Sequence, residues 1–428
     1  MKSEMTKRKS SKGTKAGRKT FPRRFEIQPH SRYPVIHVIP IFQSPSFYRF
    51  SYLPLRLFVF ASLCVCAFLF ISCSSLRLSG PMPESSQSWP MFGRDAAHNS
   101  SSDIVSTKLE KVWDYDVSAG FGGFSPTIRN GVVSVGTLKG EVYFIDASSG
   151  KKEASKGFGG AIFSGPVLSD SLVIAASSGT KDNLFVYNLY SGNKVWTKTL
   201  TDVESSPTLW NDAVFVATVG GDLYKFNVKN GVEIFHRHLP APVRVSPAVS
   251  DSLCVFGCDD GNVYAISPAD GKQIWKYSTG SPVWCSASMR DSLIFVGTTG
   301  GKLLMLREDG TLLFDFPVGG KILSMPVSDG RDIYFGCNDG DFYAVNEKSG
   351  APTWKVETGA PIVAAASQTK TQIIFGSYDE NLYVVDKDDG KVTQKINLPG
   401  RAKTAPAIYG GYLVVGVEDT DVLCFAIK

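Results

Sequence analysis

No segment between residues 104 and 428 carries apolar residues at helical spacing, which argues against a helical bundle or a helix-covered sheet for the bulk of the chain. The apolar run Leu57–Ser72 is 16 residues long, short of the roughly 20 that a spanning helix needs. Positive charge is also missing where a nucleic-acid binder would need it. Residues 1–72 hold 13 of the 45 Lys and Arg but only 2 of the 40 Asp and Glu, leaving 32 positive against 38 negative from Cys73 onward, a net −6. An acidic body is a poor phosphate neutraliser, so no nucleic-acid partner is expected.

The basic first 56 residues followed by an apolar run read as an address rather than a fold. A Lys/Arg excess ahead of such a run keeps the N-terminus in the cytoplasm and sends the remainder outside. Leu57–Ser72 fits a secretory core segment, and Phe70-Ile71-Ser72-Cys73 resembles a bacterial lipoprotein cleavage box in which Cys73 would be lipidated. An uncut N-terminal membrane anchor is the competing reading. A basic region of 56 residues is long for a signal peptide, which places the expected start of translation further on, at Leu53. The chain then divides into a basic region at 1–56, a signal and lipoprotein segment at 57–73, a polar linker at 74–88 expected to be a flexible tether, and a folded part at 89–428.

That folded part is repetitive. A glycine recurs at Gly150, Gly192, Gly231, Gly271, Gly310, Gly350 and Gly390. Four residues later stands a large aromatic in five cases, Trp196, Phe235, Trp275, Phe314 and Trp354, whereas Ala154 and Gln394 occupy the place after Gly150 and Gly390. A second mark, Pro126, Pro166, Pro207, Pro247, Ala287, Pro326, Ala366 and Pro406, keeps the same period and mostly follows a small residue. Within a unit such as 204–239 four short β-rich runs alternate with Gly, Asn and Asp turns, the signature of an antiparallel four-stranded blade. The expected fold is an all-β, eight-bladed β-propeller. The last unit stops at Lys428 one strand short, and Glu110–Val117 supplies a strand ahead of the first unit. The N-terminal strand should therefore complete the last blade and close the ring.

Units such as 262–275 (NVYAISPADGKQIW) and 342–354, with the opening segment Trp89-Pro90-Met91-Phe92-Gly93-Arg94-Asp95 and His98-Asn99, resemble the pyrroloquinoline-quinone (PQQ) type of propeller repeat over about 89–428. The resemblance implies a Trp packed between blades, and it leaves two branches. Quinoprotein dehydrogenases hold PQQ with an adjacent Cys-Cys pair and calcium-binding carboxylates. This chain has no adjacent cysteines and no Cys-x-x-Cys-His, and its 40-residue period leaves no insertion to roof a cofactor. The other branch, the BamB-type envelope lipoproteins, is non-enzymatic and serves outer-membrane β-barrel assembly. It needs an acylated Cys, a tether and short-looped blades. Its partner face implies an Arg in one blade and acidic residues in the next. Here Asp202 and Glu204 precede the Pro207 mark and Arg244 precedes Pro247, on neighbouring blades in the reverse order.

Residues three before each Pro mark form a ring expected near the channel mouth: Gly123, Phe163, Glu204, Arg244, Trp284, Leu323, Val363 and Lys403. Glu204, Arg244, Trp284 and Lys403, with Asp202, are the candidate partner-binding residues, and solvated blade packing is the plainer account of them. The acidic turns at Asp259-Asp260, Asp339 with Asp341, Asp379-Glu380 and Glu418-Asp419 with Asp421 should lie on the same face as the mouth, as ordinary hairpin turns. His236 and His238 share one side of a strand with no third metal ligand evident. Cys254, Cys258, Cys285, Cys337 and Cys424 read as buried free thiols. The expectation is a lipid-anchored, extracytoplasmic scaffold with no catalytic residues, metal or cofactor, whose partner is an envelope protein, with the β-barrel assembly complex as the candidate. A quinoprotein dehydrogenase and a small-ligand sensor are the alternatives.

Overall fold

The computed structural model describes residues 76–78, 88–105, 108–418 and 420–428. The chain divides into two units, Met1–Phe70 and Ile71–Lys428, and all described residues belong to the second. Cys73 and the segment 57–72 lie outside the described residues.

Among the described residues each repeat forms one four-stranded antiparallel sheet, and eight such sheets make an eight-bladed β-propeller. Blades 1 to 7 span 127–157, 167–198, 208–238, 248–278, 288–317, 327–357 and 367–397. Blade 8 takes three strands from the C-terminus and its outermost, Leu109–Asp116, from the N-terminal side, with Leu109 opposite Ile427 and Asp116 opposite Asp421. Lys108 and Lys428 exchange backbone hydrogen bonds of 3.1 and 2.9 Å beside that pairing. The ring is thus closed by the strand expected from the sequence, and no blade is left with an unpaired edge at the seam.

The repeated glycine and aromatic are the two halves of one joint. Between the third and fourth strands the register shifts once in every blade, so that one residue of the fourth strand is skipped. Such a bulge turns the next side chain. The skipped residue faces solvent, which accounts for exposed Val112, Val195, Ile234, Ile274 and Leu313. The aromatic that follows lies over the turn glycine of the next blade. A Cβ on Gly231 would sit 2.8 Å from the Trp196 ring, and one on Gly310 would sit 2.8 Å from Trp275. Each indole also donates to a carbonyl in that turn: Trp113 to Ala147 at 2.8 Å, Trp196 to Val228 at 2.7 Å, Trp275 to Glu308 at 2.7 Å and Trp354 to Lys387 at 2.9 Å.

The two blades without an aromatic at this position are joined differently. Blade 7 carries Gln394, whose amide donates to Leu109 O and accepts from Leu109 N, both at 2.8 Å, and so holds the closing strand. Blade 1 carries Ala154. There Leu76 and Leu78, 2% and 6% exposed, fill the gap. The Leu76 carbonyl lies against Gly192, and Leu78 N donates to Leu189 O at 3.0 Å, a carbonyl in the place that accepts an indole N–H at other joints. Residues 76–78 of the expected tether are therefore packed against the propeller, because blade 1 leaves an apolar notch there.

The opening segment closes the channel. Trp89 exchanges 2.7 Å backbone bonds with Ile128, and the carbonyls of Pro90, Ala96, Ala97 and Ser100 accept from first-strand amides of blades 2, 4, 5 and 7. His98, fully buried, donates from Nδ1 to Ala287 O at 2.8 Å. Burial lowers its pKa and keeps the ring neutral.

Truncating the packed segment, Leu76→Ala/Leu78→Ala, should lower stability by several kcal/mol, since each buried Leu→Ala change costs about 2–5 kcal/mol. Adding Ala154→Trp to that double variant should recover a large part of the loss by supplying the missing joint. Denaturant unfolding measures both, and no recovery would show that the segment does something other than fill the aromatic's place.

Candidate functional site at the channel mouth

The connector entering each blade has a simple local logic. Its apolar residue turns inward, with Val283, Ile322 and Ile362 packed against Gly257, Gly297 and Gly336 of the preceding blade. The following residue, the one of the predicted ring, then faces the mouth. Two positions on, small hydroxyl residues tie the blades together: Ser206 Oγ accepts from Gly165 N at 2.8 Å, Ser246 Oγ from Ser206 N at 2.9 Å, and Ser286 Oγ from Ser246 N at 3.0 Å. The small residue beside the Pro mark is thus a link between neighbouring blades.

Seven of the eight ring residues line one cavity of about 310 Å³, with Phe92 of the plug, Phe124, Val245, Ser286, Met325 and Ala365 completing its walls. Phe92 meets Phe124 edge-on at 4.9 Å. Phe92, Phe124, Phe163, Leu323, Met325 and Val363 make much of the wall apolar. On one side of the mouth stands a charged chain across three blades. Arg244 pairs through Nη1 with Glu204 at 2.8 Å and through Nε with Asp259 at 3.0 Å. Trp284, 41% exposed, donates its indole N–H to the other Asp259 oxygen at 2.8 Å. Lys321 lies 5.4 Å from the Trp284 ring centre. Burial disfavours the Arg244 charge, but the hydrogen bonds to Asp259 and Glu204 outweigh it and raise its pKa.

Of the five candidates from sequence, Glu204, Arg244 and Trp284 are brought together, and the other two lie elsewhere. Asp202 accepts from Gly179 N at 2.8 Å in the neighbouring turn. Lys403 turns from the cavity to Glu418 at 3.3 Å and to the Tyr378 ring at 4.8 Å. Asp259, the bridge of the cluster, was expected only as a turn residue. Its one sequence signal is a turn carboxylate placed beside the Arg244 connector. On the far side of the plug a polar cavity of about 580 Å³ is lined by Asn99, Ser101, Arg290, Asp329 and Gln368 among others. Buried Lys387 reaches it, bonded to Gln368 at 2.9 Å and paired with Asp329 at 3.4 Å.

His236 and His238 both bond one oxygen of Asp222, at 2.7 and 2.9 Å. Asp222 stands opposite His238 on the paired strand, a partner the one-strand reading could not locate. Among the described residues no group of three His, Cys, Asp or Glu is arranged to hold a metal ion. All five described cysteines are buried and unbridged.

A family model described as outer membrane protein assembly factor BamB matches residues 104–201, 159–283 and 259–427. The chain belongs to this family. Among solved structures, BamB from Moraxella catarrhalis is 16% identical over 75% of this chain and 100% of its own, with a TM-score of 0.65. A europium-containing methanol dehydrogenase is 12% identical over 80% of this chain and 98% of its own, at 0.71. Quinohemoprotein alcohol dehydrogenase from Comamonas testosteroni is 13% identical over 83% of both chains, at 0.69. These likenesses show the fold, which BamB and the dehydrogenases share. No curated protein sequence matches.

Burial pushes the thiols of Cys258, Cys285, Cys337 and Cys424 up to about 12, so little thiolate exists at neutral pH. A maleimide applied to native protein should leave all five described cysteines unmodified, and each should react after denaturation. Peptide mapping reads this directly.

Proposed function

We propose that the protein is a non-enzymatic scaffold of the cell envelope, attached to the membrane through lipid on Cys73, whose channel mouth binds a protein partner in outer-membrane β-barrel assembly. The observation that carries this reading is the Glu204–Arg244–Asp259–Trp284 chain beside an apolar cavity on a rigid ring. An exposed Trp and an Arg beside an apolar recess are the residue types that anchor protein contacts. Membership of the BamB family supports the choice of process.

The quinoprotein alternative meets a chemical mismatch at the mouth. PQQ is a flat tricarboxylate and needs cations facing it. Among the described residues Arg244 is the one cation lining the mouth cavity, it is already held by two carboxylates, and Glu204 lines the same wall. That donor set does not fit the cofactor.

The test is recovery of partners from solubilised membranes with C-terminally tagged protein. Wild type should bring down a β-barrel assembly protein. Trp284→Ala and Glu204→Arg/Arg244→Glu should each reduce that recovery at least about tenfold, as loss of an anchor residue does, with unfolding midpoints little changed because these side chains are part-exposed. Failure of wild type to recover any assembly protein would overturn the process. Undiminished recovery with both variants would move the partner site away from the mouth.

A further inference from the structure

The docked Leu76–Leu78 segment fixes more than a seam. The apolar run ends at Ser72 and Cys73 follows, so either form of membrane attachment lies within four residues of Leu76. Four extended residues reach at most about 14 Å. Leu76 sits against Gly192, on the turn that begins the outer strand of blade 2. The membrane must therefore pass close to the outer edge of blades 1 and 2.

That edge differs in charge from the others. The outer strands of blades 1 and 2, with the turn residue before the first of them, carry Lys151, Lys152, Lys156, Lys194 and Lys198 and a single acid, Glu153. None of these five lysines is ion-paired among the described residues, and Lys152, Lys156 and Lys198 lie over aromatic rings instead. Most outer-edge lysines of later blades are neutralised, and the two without an ion pair among the described residues, Lys276 and Lys391, stand singly on blades 4 and 7. Lys355 pairs with Asp341 and Glu357, and Lys395 with Asp379, while on blade 8 Lys111 pairs with Asp114. Unneutralised lysines beside the attachment point, on a body of net −6, are complementary to anionic headgroups.

We propose that the outer edge of blades 1 and 2 rests on an anionic phospholipid surface, the propeller being held edge-on to the membrane by the docked Leu76–Leu78 segment. This rests on reading 57–73 as the membrane attachment. In this posture the mouth cavity opens parallel to the membrane, where a partner anchored in the same membrane reaches it.

The full chain, reconstituted on vesicles of phosphatidylethanolamine with phosphatidylglycerol or of phosphatidylcholine alone, is treated with an amine-acylating reagent and mapped by mass spectrometry. Lys151, Lys152, Lys156, Lys194 and Lys198 should react about fivefold more slowly on the anionic vesicles than on the neutral ones, with Lys355 and Lys395 unchanged. The difference should fade at high salt. Lys151→Glu/Lys152→Glu/Lys194→Glu, changes at exposed side chains, should float with the vesicles as wild type does and lose the protection at Lys156 and Lys198. Equal rates on the two kinds of vesicle would overturn the proposal while leaving attachment intact. A chain that floats with neither vesicle would overturn the attachment reading, and the proposal with it.

Discussion

Everything in this ring depends on the contact between the aromatic side chain of one blade and the turn glycine of the next. A single blade buries its sheet faces only against its neighbours, so the fold is as good as its joints. The bulge before the fourth strand aims the ring inward, the glycine leaves space for it, and the indole N–H caps a turn carbonyl. The same bulge puts Ile234, Ile274 and Leu313 in solvent, a local cost of roughly 1 kcal/mol or more per exposed aliphatic that the joint outweighs. Repetition makes the joint strong, and its two exceptions show where the chain needed something else. Gln394 seizes the closing strand, and Leu76–Leu78 fills the notch above Ala154.

A rigid ring makes a functional surface cheap to organise. The connectors are short, each is anchored by a buried apolar residue, and the serine links hold neighbouring connectors in register. Side chains at the mouth are therefore presented from a fixed frame, which lowers the ordering cost of binding. The plug adds a floor: Phe92 closes the apolar cavity on one side, while Asn99 and Ser101 line the polar cavity on the other. One segment divides the channel into two chambers of opposite character.

Much of this was legible in the sequence because period, turn glycines and Pro marks are local signals repeated many times over. The closing strand was legible because an incomplete last unit and an orphan strand at the front imply each other. Ala154 and Gln394 stood out as departures from the pattern, but what replaced the aromatic lay outside the repeat, and only tertiary contact reveals it. The mouth ring was readable from alignment of the units, since position within a blade fixes which way a connector residue starts. Where its side chain ends was not: Lys403 finds Glu418 and Tyr378, and Asp202 finds a neighbouring backbone amide. Asp259 and Asp222 escaped for the same reason, being defined by partners on other strands.

At each aromatic joint the glycine is required by the ring lying on it, beyond its own backbone preference. Gly310 and Gly131 both have positive φ, +85° and +79°, but a Cβ at Gly310 would meet Trp275 whereas one at Gly131 meets nothing within 4 Å. Denaturant unfolding of Gly310→Ala beside Gly131→Ala separates the two effects. Both should lose the left-handed backbone cost of about 1–2 kcal/mol, and Gly310→Ala should lose a further 1–3 kcal/mol, roughly the cost of overpacking. Equal losses at the two positions would contradict the account, because the joint would then owe nothing to the ring above it.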